Sequence, residues 1–413
     1  MDNTKKNFIW NMVGATVNAF TSLAFLVIVT RINGTDTAGI FTFGFSLALL
    51  FQVISNYSGR AYQVTNIDES IRDSDFVYHR ITSCLLALVA AAIYLAIKQY
   101  SLLKNTVILL FVAYRLLESM AEVMYGVVQK NNELYKVGKS LFWKGILGTA
   151  VFVAADAITE NVVLAIIALV LINLVITLLY DYRNFRRFYT RNPYVGSINL
   201  TLFRLGIFVF GFTFLSQYIL NAPKYAIDEY LTNEMQMIYG IVSMPASFIL
   251  LCSQFIIQPL LVQFAALIRE QQYRRLFRLS LKTLLIIAAI GMFGLAAAYF
   301  LGIPVLELIY GVPLKDYLLP LLVIITGATF YGLSFAISNV LTAMRKTFIQ
   351  IIFYILCSGW IMFFSRYMVL RYSILGGTLS YAASTLLLCA LYLIYYLYIL
   401  QKQIRYEQKE TEN

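Results

Sequence analysis

Apolar runs long enough to cross a membrane recur along the whole chain. A transmembrane helix needs about 20 apolar residues, because lipid offers its backbone no hydrogen-bond partners. The sequence predicts an all-α integral membrane protein with twelve transmembrane helices, read from the segments 8–30, 38–59, 81–97, 106–128, 141–155, 162–180, 201–222, 236–258, 280–303, 317–343, 348–365 and 375–400.

Composition and motifs argue against an enzyme. Hydrophobic residues make up 60% of the 413 residues and charged residues 13%, whereas a soluble domain is about 45–50% apolar and about 25% charged. The sequence contains no GxSxG, HExxH or GxxxxGK[ST] motif, and its four cysteines stand singly in apolar runs. We therefore expect a membrane protein that is not an enzyme and has no metal or other cofactor.

The net charge of +11 reflects topology rather than nucleic-acid binding. Lys and Arg accumulate on the cytoplasmic side of membrane proteins. Most of the 32 Lys and Arg residues fall in connections on the same side as the N-terminus, which predicts that both termini are cytoplasmic. Arg80 and Lys144 are counted among these cytoplasmic charges. His79 is expected to be solvated in a polar loop.

A basic connection at 181–200 divides the twelve segments into two groups of six. Because six is even, both groups enter the membrane in the same direction, so any internal repeat is parallel and has a pseudo-two-fold axis along the membrane normal. The predicted domains are 1–190 and 191–413. In the second domain, Pro245 lies inside a segment and is expected to kink it, either as a gate or as a static bend.

The fourth segment carries three ionisable residues, Arg115, Glu118 and Glu122. Their spacing places them on one helix face, and charges inside a membrane usually face a bundle interior or a watery cavity. Two interpretations stay open. The three residues form an ion-pair ladder that orients the helix, or Arg115 binds an anionic ligand while Glu118 or Glu122 couples transport to Na⁺ or H⁺.

Polar residues form further stripes at helical spacing, and each stripe ends at a cation. Ordinary interhelical hydrogen bonding would explain any single stripe. Corresponding stripes in both halves instead favour a hydrated cationic cavity between the two six-helix groups, suited to a phosphate-bearing cargo. With Arg115, the predicted cavity residues are Asn18, Arg31, Gln52, Asn56, Arg60, Gln217, Asn221 and Lys224.

An ordered series of motifs resembles a known family. The series comprises KNFIWNMVGATVNAF and IVTRINGTDTAGIFTFGFSLA (within 6–48), GRAYQV (59–64), YRLLES and YGVVQ (within 114–129), NAPKYAIDEYL (221–231), PVLELIYG (304–311) and AMRK (343–346). The chain resembles the Wzx-type polysaccharide-repeat-unit flippases of the multidrug/oligosaccharidyl-lipid/polysaccharide (MOP) exporter superfamily. The resemblance runs almost from end to end.

The resemblance implies a transporter of the bacterial cytoplasmic membrane with twelve helices in two bundles. It implies a cargo of undecaprenyl-diphosphate-linked oligosaccharide, moved to the outer leaflet by alternating access for a surface polymer such as capsule or O-antigen. Membrane lipid and the polymerase and glycosyltransferases of the same pathway would be its partners. Arg31 and Arg60 stand where this family often has Arg, and Lys224 stands where its Pro-Arg-Tyr motif places Arg.

Two other functions remain as alternatives. A drug or cation exporter of the same superfamily would have an acidic or aromatic pocket rather than one ringed by Arg and Lys. A polysaccharide polymerase or ligase would need a sizeable extracytoplasmic loop. The longest such connections are expected at 223–235 and 304–316, which is short for an enzyme with two substrates.

Overall fold

The computed structural model describes residues 3–57, 59–65 and 71–412. In these residues, all regular secondary structure is helical. The α-helices are α1 Asn3–Ile32, α2 Gly34–Asn56, α3 Gly59–Thr65, α4 Asp73–Lys98, α5 Leu102–Lys130, α6 Leu134–Thr159, α7 Val162–Ile176, α8 Tyr182–Arg186, α9 Gly196–Tyr230, α10 Asn233–Arg269, α11 Tyr273–Ala297, α12 Ile303–Tyr310, α13 Leu318–Ala343 and α14 Thr347–Glu412. Two π-turns, Thr177–Asp181 and Ala298–Gly302, join α7 to α8 and α11 to α12.

Ten helical segments in the described part of the chain are long and apolar enough to cross a membrane. Helix α5 is 29 residues long but is not among these ten, because Arg115, Glu118 and Glu122 make it too highly charged. Helix α14 consists of two helices that meet at Ser373, where the backbone is not helical (φ 53°, ψ −132°). The all-α membrane architecture is thus confirmed, while twelve crossings, the parallel repeat and the cytoplasmic termini stay predictions.

The connections expected at 223–235 and 304–316 are largely helical, so these two segment boundaries were wrong. Helix α9 continues through Pro223 to Tyr230, because Ala222, Ala226 and Ile227 form a buried face at helical spacing and packing of such a face outweighs local propensity. In the second connection, α12 ends at Tyr310 and is followed by Gly311, whose positive φ of 73° suits a glycine that terminates a helix.

The chain forms two compact units, 1–217 and 218–413. The division falls inside α9, between Gln217 and Tyr218, whereas the predicted domain boundary at residue 190 lies in the connection before this helix. Within the first unit, aromatic side chains fill the core: the rings of Phe41 and Phe111 have centroids 4.9 Å apart.

Glycines let helix backbones touch in both units. In the first unit, Gly14 of α1 faces the backbone carbonyl of Gly138 in α6, and Gly138 faces the backbone of Trp10. In the second unit, Gly327 of α13 packs against Tyr381 of α14. Small residues at such crossings are the usual means of close helix packing in membranes, because lipid supplies no hydrophobic force between helices.

Gly138→Ala is expected to lower the free energy of unfolding of the purified protein by about 1–3 kcal/mol. The added Cβ would meet backbone atoms of Trp10 and Asn11, which cannot move aside as a flexible side chain can. Thermal unfolding in detergent measures the effect. Gly359→Ala is the matched control, since it adds the same methyl group to a helix where nothing lies within 4 Å. Equal stability of the two variants would contradict the close packing of α1 and α6.

Candidate functional site

The charged face of α5 forms a network within the first unit. Arg115 Nη1 donates to Glu118 Oε2 at 2.6 Å, and Gln52 Nε2 of α2 donates to the same oxygen at 3.3 Å. The guanidinium of Arg115 also lies over the ring of Phe45, 4.5 Å from its centroid. The structure thus brings together three of the predicted residues, and the ion pair that the ladder interpretation requires is present. The predicted roles of Arg115 in anion binding and of Glu118 in ion coupling stay predictions.

Arg60 of α3 lies beside the next carboxylate along the same face. Its Nη1 is 3.6 Å from Glu122 Oε2, which is a charge contact but too long for a hydrogen bond. The guanidinium also lies 6.0 Å from the ring centroid of Tyr125. Within the described residues Nη1 is buried and has no hydrogen-bond acceptor, although 26% of the side chain is exposed. Arg60 therefore offers a donor that the described residues leave without an acceptor.

The side chain of Asn56 is held by two protein groups. Its Oδ1 accepts from Arg80 Nη1 at 3.0 Å and from the hydroxyl of Ser119 on α5. Arg80 Nη1 also donates to the carbonyl of Ser55 at 2.7 Å. Since the amide oxygen of Asn56 is already bonded, its clearest contribution is to join the end of α2 to α4 and α5.

The expectation that Arg80 and His79 belong to a solvated loop was wrong. Helix α4 begins at Asp73, so both residues lie inside it, and both are buried. Arg80 reaches the C-terminal end of α2, where a cation stabilises the last carbonyl groups. His79 Nδ1 lies 2.9 Å from Asn199 Oδ1 at the beginning of α9. Contacts made with distant segments gave no signal in the local sequence.

Arg80→Met is expected to lower the free energy of unfolding by about 2–3 kcal/mol, since it removes two charge-assisted hydrogen bonds and leaves the Ser55 carbonyl without that donor. Thermal unfolding of the purified variant measures the loss. The control is Arg186→Met on α8, where the Arg side chain is exposed and its removal should change little. A variant as stable as the wild type would mean that Arg80 does not hold α2 in place.

The remaining predicted residues of the first unit lie on α1. Asn18 is half-buried where α1 crosses α6. Its backbone lies beside Gly145 of α6. Arg31 is exposed in the last turn of α1. Arg31 lies three residues before the first residue of α2 and Arg60 four residues after its last. Helix α2 has 23 residues, a length of about 35 Å. Arg31 and Arg60 therefore cannot bind one diphosphate at the same time.

On α9, three predicted residues share one helix face by their spacing: Gln217, Asn221 and Lys224. Asn221 is buried, while Gln217 and Lys224 are half-buried. In α10, helical backbone runs without interruption through Pro245, from Asn233 to Arg269. The cargo roles of these residues and the gating role of Pro245 stay predictions, as does the cavity between the two halves.

A second group of charged residues was missed. Lys144, counted as a cytoplasmic charge, is buried in α6, where its Nζ donates to Asp181 Oδ2 at 2.6 Å and to Tyr125 Oη at 3.0 Å. A signal was present, because Lys144 falls inside a predicted apolar segment and Asp181 directly follows another. Nothing in the local sequence, however, pairs the two positions.

Comparison with known proteins identifies the fold. No protein-family model matches the chain. The capsular polysaccharide biosynthesis protein CapF of Staphylococcus aureus is 22% identical over 402 residues, which cover 95% of this chain and 98% of CapF. An inward-facing structure of a multidrug resistance MATE family transporter of the MOP superfamily has a TM-score of 0.70 at 12% identity, covering 97% of this chain and 99% of that one. The chain has the fold of this transporter.

The lipid II flippase MurJ, in an inward closed conformation, is also similar. Its TM-score is 0.73 at 13% identity, with 96% of this chain and 91% of MurJ covered. The comparisons confirm the resemblance to the exporter superfamily. Together with the ten membrane-length helices of the described residues, this fold indicates a multi-pass membrane protein.

Proposed function

We propose that the chain is a Wzx-type flippase. It moves undecaprenyl-diphosphate-linked oligosaccharide repeat units from the inner to the outer leaflet of the cytoplasmic membrane, by alternating access, for a surface polysaccharide such as capsule or O-antigen. The observation that carries the proposal is the Arg60 donor, buried without an acceptor in the described residues and suited to a phosphate oxygen. The name of CapF, a capsular polysaccharide biosynthesis protein similar over nearly its full length, supports the cargo class.

The cargo poses a physical problem that this arrangement addresses. A diphosphate and a sugar chain cannot cross hydrocarbon unaided, because burying unpaired charge and unsatisfied polar groups is costly. A long polyprenyl tail, in contrast, can remain in the lipid. Arginine is suited to the diphosphate, since its planar guanidinium binds phosphate oxygens in pairs.

Binding and release of the cargo take place at opposite ends of α2. Twelve crossings result when the ten membrane-length helices of the described residues are counted together with α5 and with α14 as two helices that meet at Ser373. With cytoplasmic termini, Arg60 then lies near the inner end of α2 and Arg31 near its outer end. Arg60 then receives the diphosphate, and Arg31 meets it about 35 Å further along the helix. Gln52, Asn18 and, in the second half, Gln217, Asn221 and Lys224 serve the sugar and the phosphates.

Arg115 gives the ion coupling a chemical basis. In the structure its Nη1 is engaged by Glu118, so this pair competes with a phosphate for the same guanidinium. Binding of H⁺ or Na⁺ at Glu118 would neutralise the carboxylate and release Arg115 to the cargo. The Glu122 carboxylate would compete with a phosphate for the Arg60 guanidinium in the same way, at the longer distance of 3.6 Å.

Deletion of the gene tests the proposal. We expect a complete diphosphate-linked repeat unit to accumulate, inaccessible to a membrane-impermeant glycan probe in intact spheroplasts and accessible after lysis. Wild-type protein should restore translocation. The matched pair Arg60→Gln and Arg72→Gln compares the candidate cation with an exposed one, which directly precedes α4 and contacts Asp75 in the first turn of that helix.

Other outcomes would contradict a flippase. Normal translocation and polymerisation in the deletion strain would exclude the role. Unpolymerised units on the outer face would indicate a polymerase or ligase. Unchanged lipids together with a new drug sensitivity would indicate a drug or cation exporter, an alternative that the similar multidrug resistance MATE family transporter brings to mind.

A further inference from the structure

The ammonium group of Lys144 donates to two buried oxygen atoms in the first unit. Its Nζ is 2.6 Å from Asp181 Oδ2 and 3.0 Å from Tyr125 Oη. Tyr125 Oη lies 2.8 Å from Ser140 Oγ and 3.3 Å from Asp181 Oδ2. These atoms come from α5, α6 and the first π-turn. The Lys144 and Asp181 side chains are 6% and 2% exposed, so the charges are held inside the unit rather than at a wet surface.

The π-turn Thr177–Asp181 brings Asp181 to this position. Asn173, Thr177 and Asp181 follow one another at four-residue intervals and are all buried, whereas Leu178 and Leu179 are exposed. Four residues of a regular α-helix turn about 40° more than one full turn, so residues at this spacing drift around the helix. The wider π-turn offsets that drift, which keeps all three polar residues on the buried face.

Two more oxygens on this face lack a partner. Asn173 Oδ1 and Thr177 Oγ1 are buried and have no hydrogen bond within the described part of the chain. The Asn173 side chain lies against α6 at Gly148, one turn from Lys144: a Cβ added there would be 3.3 Å from Asn173 Nδ2. Buried acceptors without donors are costly. Carboxylate, amide and hydroxyl oxygens are also the ligands that hard cations use.

We propose that this is a site for a small monovalent cation, which the chain fills with its own Lys144 ammonium group. A carboxylate inside a membrane protein needs a positive partner, because its isolated charge is poorly solvated there. Both an ammonium and an alkali cation satisfy oxygen ligands of this kind. Because Lys144 is covalently attached, the wild-type site needs no ion from solution.

The cation site is separate from the cargo of the proposed flippase. A site of this kind, unlike a purely structural ion pair, binds an ion from solution once Lys144 is removed. Lys144→Ala leaves the Asp181 carboxylate and the volume of the lost side chain, and Na⁺ should enter that space. The variant should therefore acquire a stabilisation by sodium that the wild type lacks.

The test compares melting temperatures of the purified full-length protein in equal concentrations of sodium chloride and choline chloride at alkaline pH. Lys144→Ala should melt about 2–4 °C higher in sodium, as expected for a ligand that binds only the folded state. The wild type should show no difference. Two control variants should show no difference either. One is Lys139→Ala, which removes another cation of α6, the one that lies over the Trp10 ring of α1. The other is the double variant Lys144→Ala/Asp181→Asn.

Two results would overturn the inference. One is a folded Lys144→Ala variant with the same melting temperature in both salts. The other is stabilisation by acidic pH but not by sodium, which would make Asp181 a proton site instead. If Lys144→Ala is not recovered in a folded state, the same comparison on Lys144→Gln, which retains more of the volume, decides between these outcomes. No cargo is needed, so failure here leaves the flippase proposal untouched.

Discussion

Arg60→Gln is expected to lower the apparent affinity for a diphosphate-linked cargo by about tenfold to a hundredfold. The estimate corresponds to the loss of one hydrogen bond to a charged group, about 1.5–3 kcal/mol. The cost should fall on the cargo rather than on the fold, since the protein itself does not satisfy Arg60 Nη1 in the described residues. The contact with Glu122 is 3.6 Å long and partly exposed, and such pairs contribute little to stability.

Transport of a lipid-linked oligosaccharide into the outer leaflet of proteoliposomes, measured against substrate concentration, gives the affinity. Arg60→Lys should be intermediate, because a lysine keeps the charge but cannot bind two phosphate oxygens as a planar fork does. Arg72→Gln should behave as the wild type. A drop in membrane abundance that matches the loss of transport would assign Arg60 to folding, and unchanged transport would remove it from the binding site.

The helices were predictable because the bilayer imposes a strict rule on the backbone. Every peptide group in lipid must bond within its own segment, so long apolar runs have few alternatives to helix. The charged face of α5 was predictable for a related reason, since the spacing of Arg115 and Glu118 places them one turn apart. The structure pairs them at 2.6 Å.

Partners that come from distant parts of the chain could not be predicted. Arg80 and the Ser55 carbonyl are 25 residues apart, and Lys144 and Asp181 are 37 residues apart. A cation near the end of an apolar run looks the same in sequence whether it reaches water or an acceptor on another helix. The π-turn that orients Asp181 leaves even less signal, because it depends on one hydrogen-bond register and not on composition.

The continuation of α9 past Pro223 shows the same limit for boundaries. Proline and the polar residues around it favour the end of a helix. The buried face formed by Ala222, Ala226 and Ile227 prevails because tertiary packing supplies most helix stability. The helix therefore carries Lys224 in regular backbone, one turn after Asn221, rather than in a loop.

Asp181→Asn is expected to lower the free energy of unfolding by about 3–5 kcal/mol, the largest stability effect that we foresee. The substitution keeps the shape of the side chain but leaves the Lys144 ammonium buried beside a neutral amide, and an uncompensated buried charge is strongly destabilising. Unfolding of the purified protein by heat or denaturant in detergent measures the loss. An Asp181→Asn variant as stable as the wild type would show that the ammonium reaches water or another acceptor.

The double variant Lys144→Met/Asp181→Leu separates the cost of an unpaired charge from the value of the pair. Its stability should lie within about 2 kcal/mol of the wild type, because well-packed apolar residues of similar volume often replace a buried ion pair at little cost. The cycle of single and double variants then gives the coupling energy directly. Sodium should not rescue Asp181→Asn, since this variant lacks an anion rather than a cation. Rescue by sodium in Lys144→Ala alone would thus identify the oxygen-lined space itself as the binding site.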